Sequence, residues 1–170
     1  MKYFIINGFP RSGKDTFVNY CLKELGGHGK LISTVDFIKE IAAICGWDGT
    51  KTLENRKFLS DLKDLLSNWN DVPYKKTIQE INLFRYDLEY YDIESSGVVF
   101  IMSREPEEIN RFENELGAKS ILIRRENIEF NQQSNHADSE VLNHKYHYII
   151  ENNGTIEELQ EKAKEFLKSI

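Results

Sequence analysis

Cysteine is scarce in this 170-residue chain: Cys21 and Cys45 are the only two, and they form no CxxC pair. A disulfide framework is therefore not expected to hold the fold, and both read as ordinary reduced thiols of a cytoplasmic protein. Long apolar runs are missing as well. After Met1-Lys2 the stretch Tyr3-Phe4-Ile5-Ile6 ends at Asn7, far short of a signal-peptide core. Nothing approaches the ~18 consecutive apolar residues of a membrane-spanning helix, so no membrane partner is expected. An excess of positive charge is also absent. The 22 Lys plus Arg against 28 Asp plus Glu give a net charge of −6, which weighs against a broad nucleic-acid surface. A small anion held in a locally positive site stays open. There is no internal repeat and no low-complexity segment.

What is present argues for one folded domain. At ~150 residues per domain the length suits a single unit, which should bury roughly 70% of its unfolded surface without help from a disulfide or metal. Aromatics at 12%, with 10 Phe, argue against disorder.

Tyr3 to Ile6 is a continuous apolar run of the kind shown by a strand covered on both faces. A glycine-rich turn follows, then a helical pattern in Phe17, Val18, Cys21, Leu22 and Leu25 that Gly26-Gly27 stops. Lys30 to Ser33 is a weak second strand. Ser33, Thr34 and Asp36 offer capping oxygens for a helix through Phe37, Ile38, Ile41, Ala42 and Ile44. From Trp47 to Ser96 the pattern changes. Leu59, Leu62, Leu65, Leu66 and Trp69, and then Ile78, Ile81, Phe84, Leu88 and Tyr91, predict two amphipathic helices with no strand between them. This is a helical insert. Val98 to Met102, Ser120 to Ile123 and Tyr146 to Ile150 supply three further strands. A helix starting at Pro106 lies between the first two, and a helix capped by Thr155 closes the chain. Arg125 to His136 is a polar loop. Strands alternating with helices imply an α/β fold with a parallel, right-handed five-stranded sheet.

Gly8-Phe9-Pro10-Arg11-Ser12-Gly13-Lys14 satisfies G-x-x-x-x-G-K, the phosphate-loop (Walker A) pattern, between a predicted strand and a predicted helix. Glycines let successive N–H groups turn inward around phosphates, the Lys adds a mobile cation, and the helix adds its positive end. The next position, usually Ser or Thr, is Asp15, with Thr16 after it. Either is a candidate Mg²⁺ ligand.

The class of phosphate protein follows from further absences. No N-K-x-D exists to read guanine. The clearest strand ends in Met102, where an ATPase would carry a metal-holding Asp, and Asp36 follows only the weaker strand. These gaps count against a hydrolase and matter less for a kinase whose acceptor is already a phosphate, since that acceptor needs no base. Arg104 lies just past one strand, with Arg124 and Arg125 just past the next. These are carboxyl ends of parallel strands, where open α/β sheets bind ligands and guanidinium groups clamp phosphates. The competing role for each is pairing with local carboxylates: Glu105, Glu107 and Glu108, or Glu126 and Glu129. The excess carboxylates are expected on exposed helix faces, with Lys14 and the three arginines converging at one sheet edge.

The run GFPRSGKDT (8–16) resembles the loop of bacteriophage-type deoxynucleoside monophosphate kinases, and phosphomevalonate kinases of the animal type share its G-K-D variant. Met102 to Glu108 is similar to that family's D-x-R-x-P-x-E, keeping Arg104, Pro106 and Glu108 with Met in place of Asp. Asn135 to Glu140 resembles its H-x-S-E lid element. Tyr148 to Leu159 is similar to the last strand and helix of the group and of dephospho-coenzyme A kinases, where the Asn-Gly turn lies against adenine. The resemblance implies a three-layer P-loop kinase sandwich, one domain over 1–170, with a helical acceptor-binding insert at about 47–96 and a lid at about 125–140. It implies ATP and Mg²⁺ as cofactors and a nucleoside or deoxynucleoside monophosphate as acceptor. Gly8, Phe9, Pro10, Arg11, Ser12, Gly13, Lys14, Asp15, Thr16, Asn153 and Gly154 would then bind the cofactor, with Asp15 or Thr16 on the metal. Lys14, Arg104, Arg124 and Arg125 would be catalytic, and Asp36, Lys39 and Arg56 would meet the acceptor. The expected state is a cytoplasmic monomer or homodimer. Two other readings stand beside this one: a kinase of another small acceptor, such as dephospho-coenzyme A or phosphomevalonate, and a nucleotide-binding module without turnover.

Weaker features have structural readings. His136, His144 and His147 match no zinc spacing and suggest surface or strand-edge hydrogen bonding. Arg56, Lys57 and Lys63 are interleaved with Glu54, Asp61 and Asp64, the pattern of a solvated helix face. Trp47 and Trp69 are expected to pack on the insert's apolar stripe.

Overall fold

Tyr3 to Ile6 are apolar without alternation because both faces of their strand are covered. The computed structural model describes residues 1–91, 97–126, 141–142 and 144–170. In it β1 (Lys2–Asn7) is the central strand of a five-stranded sheet. The other strands are β2 (Gly29–Ser33), β3 (Val98–Met102), β4 (Lys119–Arg124) and β5 (Tyr148–Glu151). Their order is β2-β3-β1-β4-β5 and every neighbouring pair is parallel. The helices are α1 (Lys14–Leu25), α2 (Asp36–Ile44), α3 (Leu53–Asn70), α4 (Val72–Tyr90), α5 (Pro106–Leu116) and α6 (Ile156–Ser169).

Two apolar cores sandwich the sheet. Phe4, Ile6, Ile121 and Ile123 pack with Phe17, Val18 and Cys21 of α1 and with Leu159, Ala163 and Phe166 of α6. Ile5, Val99 and Ile101 point the other way, onto Ile81, Phe84 and Leu88 of α4 and Ile109 and Phe112 of α5. Each fully buried aliphatic or aromatic side chain contributes roughly 2–3 kcal/mol. The predicted α/β sandwich is therefore the observed one, with strand ends shifted by one or two residues. One shift matters: Tyr146 lies outside β5 and is used elsewhere. No helix among the described residues is long and apolar enough to cross a membrane.

The insert divides its labour. Its second helix, α4, forms part of the core, whereas α3 has no buried residue. Trp69 is 74% exposed, which corrects its expected packing role. Leu59, Leu62 and Leu66 occupy one half of a wide apolar stripe, and Leu65 and Trp69 are left on the other. Trp47 instead donates its indole N–H to the Thr50 carbonyl at 3.0 Å. The expected cap of α2 is also different: Val35 is the N-cap without a side-chain bond, and the Asp36 carboxylate reaches back to the Ser33 N–H at 3.1 Å. Thr155 caps α6 as expected, accepting from Glu158 N–H at 3.3 Å.

Both cysteines are free, Cys21 buried and Cys45 exposed. Burial pushes the Cys21 thiol up to about 12, so it carries almost no thiolate near neutrality. A thiol reagent at pH 8 is expected to label one cysteine in the native protein, Cys45, and two after denaturation. Rapid labelling of Cys21 in the native state would contradict this packing.

Candidate functional site

The segment between β1 and α1 turns sharply because three residues adopt positive φ: Gly8 (+147°), Arg11 (+64°) and Gly13 (+96°). At Gly8 a Cβ would stand 2.4 Å from the Ile123 carbonyl oxygen, and at Gly13 one would stand 2.3 Å from Asn152 Nδ2. The glycines of the motif are thus required by close approach as well as by φ. Ser12 N–H donates to Phe9 O at 3.1 Å, closing a turn inside the loop. Lys14 Nζ folds back to Gly8 O at 2.7 Å and Phe9 O at 2.8 Å. Its ammonium is therefore already centred on the loop that it would serve.

Two features of the loop suit a phosphate. Gly13 is the N-cap of α1 and no side chain caps the helix, so its first-turn N–H groups are not engaged by a capping side chain. Ser12 is 1% exposed and its Oγ has no hydrogen-bond partner among the described residues. A buried hydroxyl without a partner is costly unless a ligand oxygen meets it. Asp15 and Thr16 stand exposed on the first turn of α1. No group of three His, Cys, Asp or Glu side chains able to hold a metal occurs among the described residues. Mg²⁺ needs no such cage when substrate phosphates and water complete its shell, so Asp15 with Thr16 fits it.

Two buried asparagines hold the loop at its ends, and sequence reasoning missed both. Asn7, fully buried, accepts the Gly8 N–H at 2.8 Å and donates to Tyr146 Oη at 2.8 Å and Arg104 O at 3.3 Å. Asn152 donates from Nδ2 to Ser12 O at 2.8 Å and from its backbone to Arg124 O at 2.7 Å. These bonds place the backbones of Arg104 and Arg124 one asparagine away from the loop. Lys14 thus lies on the loop itself, with the backbones of Arg104 and Arg124 beside it and exposed Arg125 next in the chain.

The side chains are arranged less simply. Arg124 pairs with Glu151, its register partner on β5, with Nε to Oε2 at 3.1 Å. Hydrogen bonding to that carboxylate holds the guanidinium above its ordinary pKa. Of the two local carboxylates expected to pair with it, Glu126 adds a weaker through-space attraction. Asn153 and Gly154 are exposed, and Asn153 Oδ1 accepts the Glu126 N–H at 2.8 Å. Asp36 and Lys39 pair with each other at 3.0 Å. Asp36 lines a cleft of ≈ 360 Å³ between the outer edge of β2, α2 and α4. Arg56 is exposed near the start of α3, with Nε donating to Lys51 O at 3.2 Å.

Lys63 departs from its expected role. Its side chain is 15% exposed and bonds Glu108 at 2.9 Å. Glu108 also accepts from Ser103 Oγ at 2.6 Å and Thr34 Oγ1 at 3.4 Å. One carboxylate therefore joins the ends of β2 and β3 to the insert, two residues past Pro106. The expectation of exposed carboxylates fails here and at Glu113, both half-buried. Lys57, paired with Asp61 at 2.5 Å and exposed, does sit on a solvated face. Glu108→Gln is expected to cost about 1–2 kcal/mol by leaving Lys63 without its counter-charge, read as a lower urea midpoint. An unchanged midpoint would reduce the contact to a surface pair.

His144 and His147 make the expected strand-edge hydrogen bonds, and they share their partners. Their Nε2 and Nδ1 lie 3.1 and 3.2 Å from the same Glu113 oxygen, and each lies 3.2 Å from Ser120 Oγ. Four polar side chains thereby pin the segment before β5 to α5 and β4. His136, Glu129, the element Asn135–Glu140 and the lid beyond Glu126 lie outside the described residues.

No family model matches the chain, and no curated protein matches it in sequence. Solved structures are similar in chain path. Shikimate kinase from Aquifex aeolicus aligns with a TM-score of 0.49 at 10% identity, covering 98% of this chain and 96% of its own. Shikimate kinase from Bacteroides thetaiotaomicron aligns with a TM-score of 0.47 at 14% identity, covering 98% of each. At that distance neither protein's substrate transfers to this chain.

Proposed function

We propose that the protein is a small-molecule kinase that moves the γ-phosphoryl group of ATP, with Mg²⁺, to a nucleoside or deoxynucleoside monophosphate. The observation that carries this reading is the loop from Gly8 to Lys14, with its positive-φ corners, uncapped helix and unpartnered Ser12 hydroxyl. Loop N–H groups hold the phosphate chain, and Lys14 exchanges its two carbonyl partners for phosphate oxygens. Bound Mg²⁺ would neutralise charge on the phosphates and orient them, with Asp15 or Thr16 as the protein's contribution. Arg104, two residues past β3, and Arg124, the last residue of β4, lie on backbone that the two asparagines tie to the loop, and their cations would stabilise the charge of the transferring group. Arg125 follows Arg124 along the same edge. The insert carries the acceptor, with Arg56, Asp36 and Lys39 as its candidate contacts, and the segment at about 125–140 would cover the site and exclude water.

A phosphate acceptor requires no proton removal, which agrees with a β3 that ends in Met102 and with an Asp36 already bonded to Ser33 and Lys39. The test is ADP release from ATP and Mg²⁺ with a panel of ribo- and deoxynucleoside monophosphates, phosphomevalonate and dephospho-coenzyme A. Stimulation by a monophosphate is expected, and stimulation by one of the other two acceptors alone would move the assignment to it. A second reading, nucleotide binding without turnover, is favoured by the Arg124–Glu151 pair, which engages one of the proposed catalytic cations. ATP bound with no phosphoryl transfer to any acceptor would select that reading; where transfer occurs, Arg124→Ala tests the arginine's part in it. The variant is expected to lower the rate of transfer by at least about tenfold while leaving the denaturation midpoint close to the parent's, because the pair is exposed. An unchanged rate would leave Arg124 a structural partner of Glu151 alone.

A further inference from the structure

Tyr146 precedes β5 by two residues, yet its hydroxyl meets the residue that opens the phosphate loop, 139 positions earlier in the chain. The directions of the bonds around Asn7 are fixed by their ends. The Gly8 N–H can only donate, so the Asn7 atom 2.8 Å from it is Oδ1. Nδ2 then faces the Arg104 carbonyl at 3.3 Å, which can only accept. Tyr146 Oη, 2.8 Å from Nδ2, must accept there too, and its own proton goes to Val141 O at 2.7 Å. Every group in the series Gly8, Asn7, Tyr146, Val141 has one permitted role.

The phenol is also held firmly from behind. His144 and His147 flank it in sequence and are fixed by Glu113 and Ser120, and His147 N–H donates to Ser120 O at 3.0 Å. The His144 ring packs edge-on against the Tyr146 ring at 4.9 Å. Asn7 is fully buried, so a carboxamide that loses a partner cannot turn to water for another.

We propose that Tyr146 is a positioning residue for the phosphate loop, acting through the carboxamide of Asn7; this rests on the reading of Gly8 to Lys14 as the phosphate site. Without the hydroxyl, Nδ2 keeps only its longer bond to Arg104 O. The carboxamide can then rotate, and Gly8 N–H loses a fixed acceptor at the corner where the chain leaves β1. The first turn of the loop and the backbone of Arg104 are released together, because one side chain holds both.

Tyr146→Phe keeps the ring and removes only the hydroxyl. In the full-length protein without nucleotide, amide hydrogen exchange across 8–13 is expected to accelerate by about tenfold, with β5 and α6 unchanged. Asn7→Ser, which retains an oxygen near Gly8 N–H but has no Nδ2, should show the same local acceleration and serves if Tyr146→Phe folds poorly. For MgATP, Tyr146→Phe is expected to weaken binding by roughly five- to tenfold. Asn7→Ala should weaken it more, and adding Tyr146→Phe to Asn7→Ala should change affinity by less than about twofold. Multiplying losses in the double variant, or loop exchange in Tyr146→Phe equal to the parent's, would overturn the proposal. A parent protein that binds no nucleotide would refute the functional reading, while the exchange comparison would still decide the role of Tyr146.

Discussion

Lys14→Ala is expected to lower kcat/KM for phosphoryl transfer by about 10²–10³-fold, the usual cost of removing one preorganised charge-stabilising group. The loss should fall on kcat as well as on nucleotide affinity, because the charge on the transferring group is greatest in the transition state. The fold should hardly notice. The Lys14 ammonium bonds the Gly8 and Phe9 carbonyls at 2.7 and 2.8 Å, within the loop that carries it. Such replaceable bonds make a net contribution of about 1 kcal/mol. A denaturation midpoint close to the parent's, beside a lost activity, is therefore the expected pair of results. Retention of more than about a tenth of kcat/KM would remove Lys14 from the chemistry.

Gly8→Ala should damage both properties. Its added Cβ would stand 2.4 Å from the Ile123 carbonyl oxygen and 2.8 Å from Ser12 Oγ, at a φ of +147° that side chains rarely adopt. Ile123 cannot retreat cheaply. It belongs to β4, whose register pairs Leu122 with Asn7 on one side and Ile123 with Ile150 on the other. Overpacking and backbone strain together are expected to cost about 2–4 kcal/mol. The loop must also move away from β4, so MgATP binding should fall below detection in the same variant. Gly27→Ala is the control, since a Cβ there meets nothing within 4 Å, and it should leave midpoint and affinity unchanged. Full nucleotide affinity in Gly8→Ala would mean that the loop does not depend on its packing against β4.

The parts of this arrangement that were legible in the sequence are those written in local pattern. Tyr3 to Ile6 of β1 and all of β3 are apolar because both faces are covered, and the glycine spacing marks the loop because the backbone must bend there. The asparagine clamps are not local. Asn7 is tied to Tyr146, and Asn152 to Ser12, across 139 and 140 residues, and a buried carboxamide leaves no periodic trace. An Asn-Asn-Gly turn drew attention to Asn153 and Gly154, while the residue that reaches the loop is Asn152. The Lys63–Glu108 pair was hidden for a related reason. Lys63 lies among Asp61 and Asp64 on α3, so a reading of charge alternation alone sends it to solvent, whereas helix packing turns it toward the end of β3. The sequence puts Arg124 at the end of a strand, but only the β4–β5 register identifies Glu151 as its partner. The net charge of −6 thus says little about where single cations lie: Lys14 opens α1 and Arg124 ends β4.

The most direct measurement is transfer of label from γ-³²P-ATP, with Mg²⁺ and each nucleoside monophosphate in turn, followed by separation of the products. A labelled nucleoside diphosphate with the parent protein, and none with Lys14→Ala, is the predicted result. ATP bound by the parent with label appearing in no monophosphate would contradict the assignment as a nucleoside monophosphate kinase.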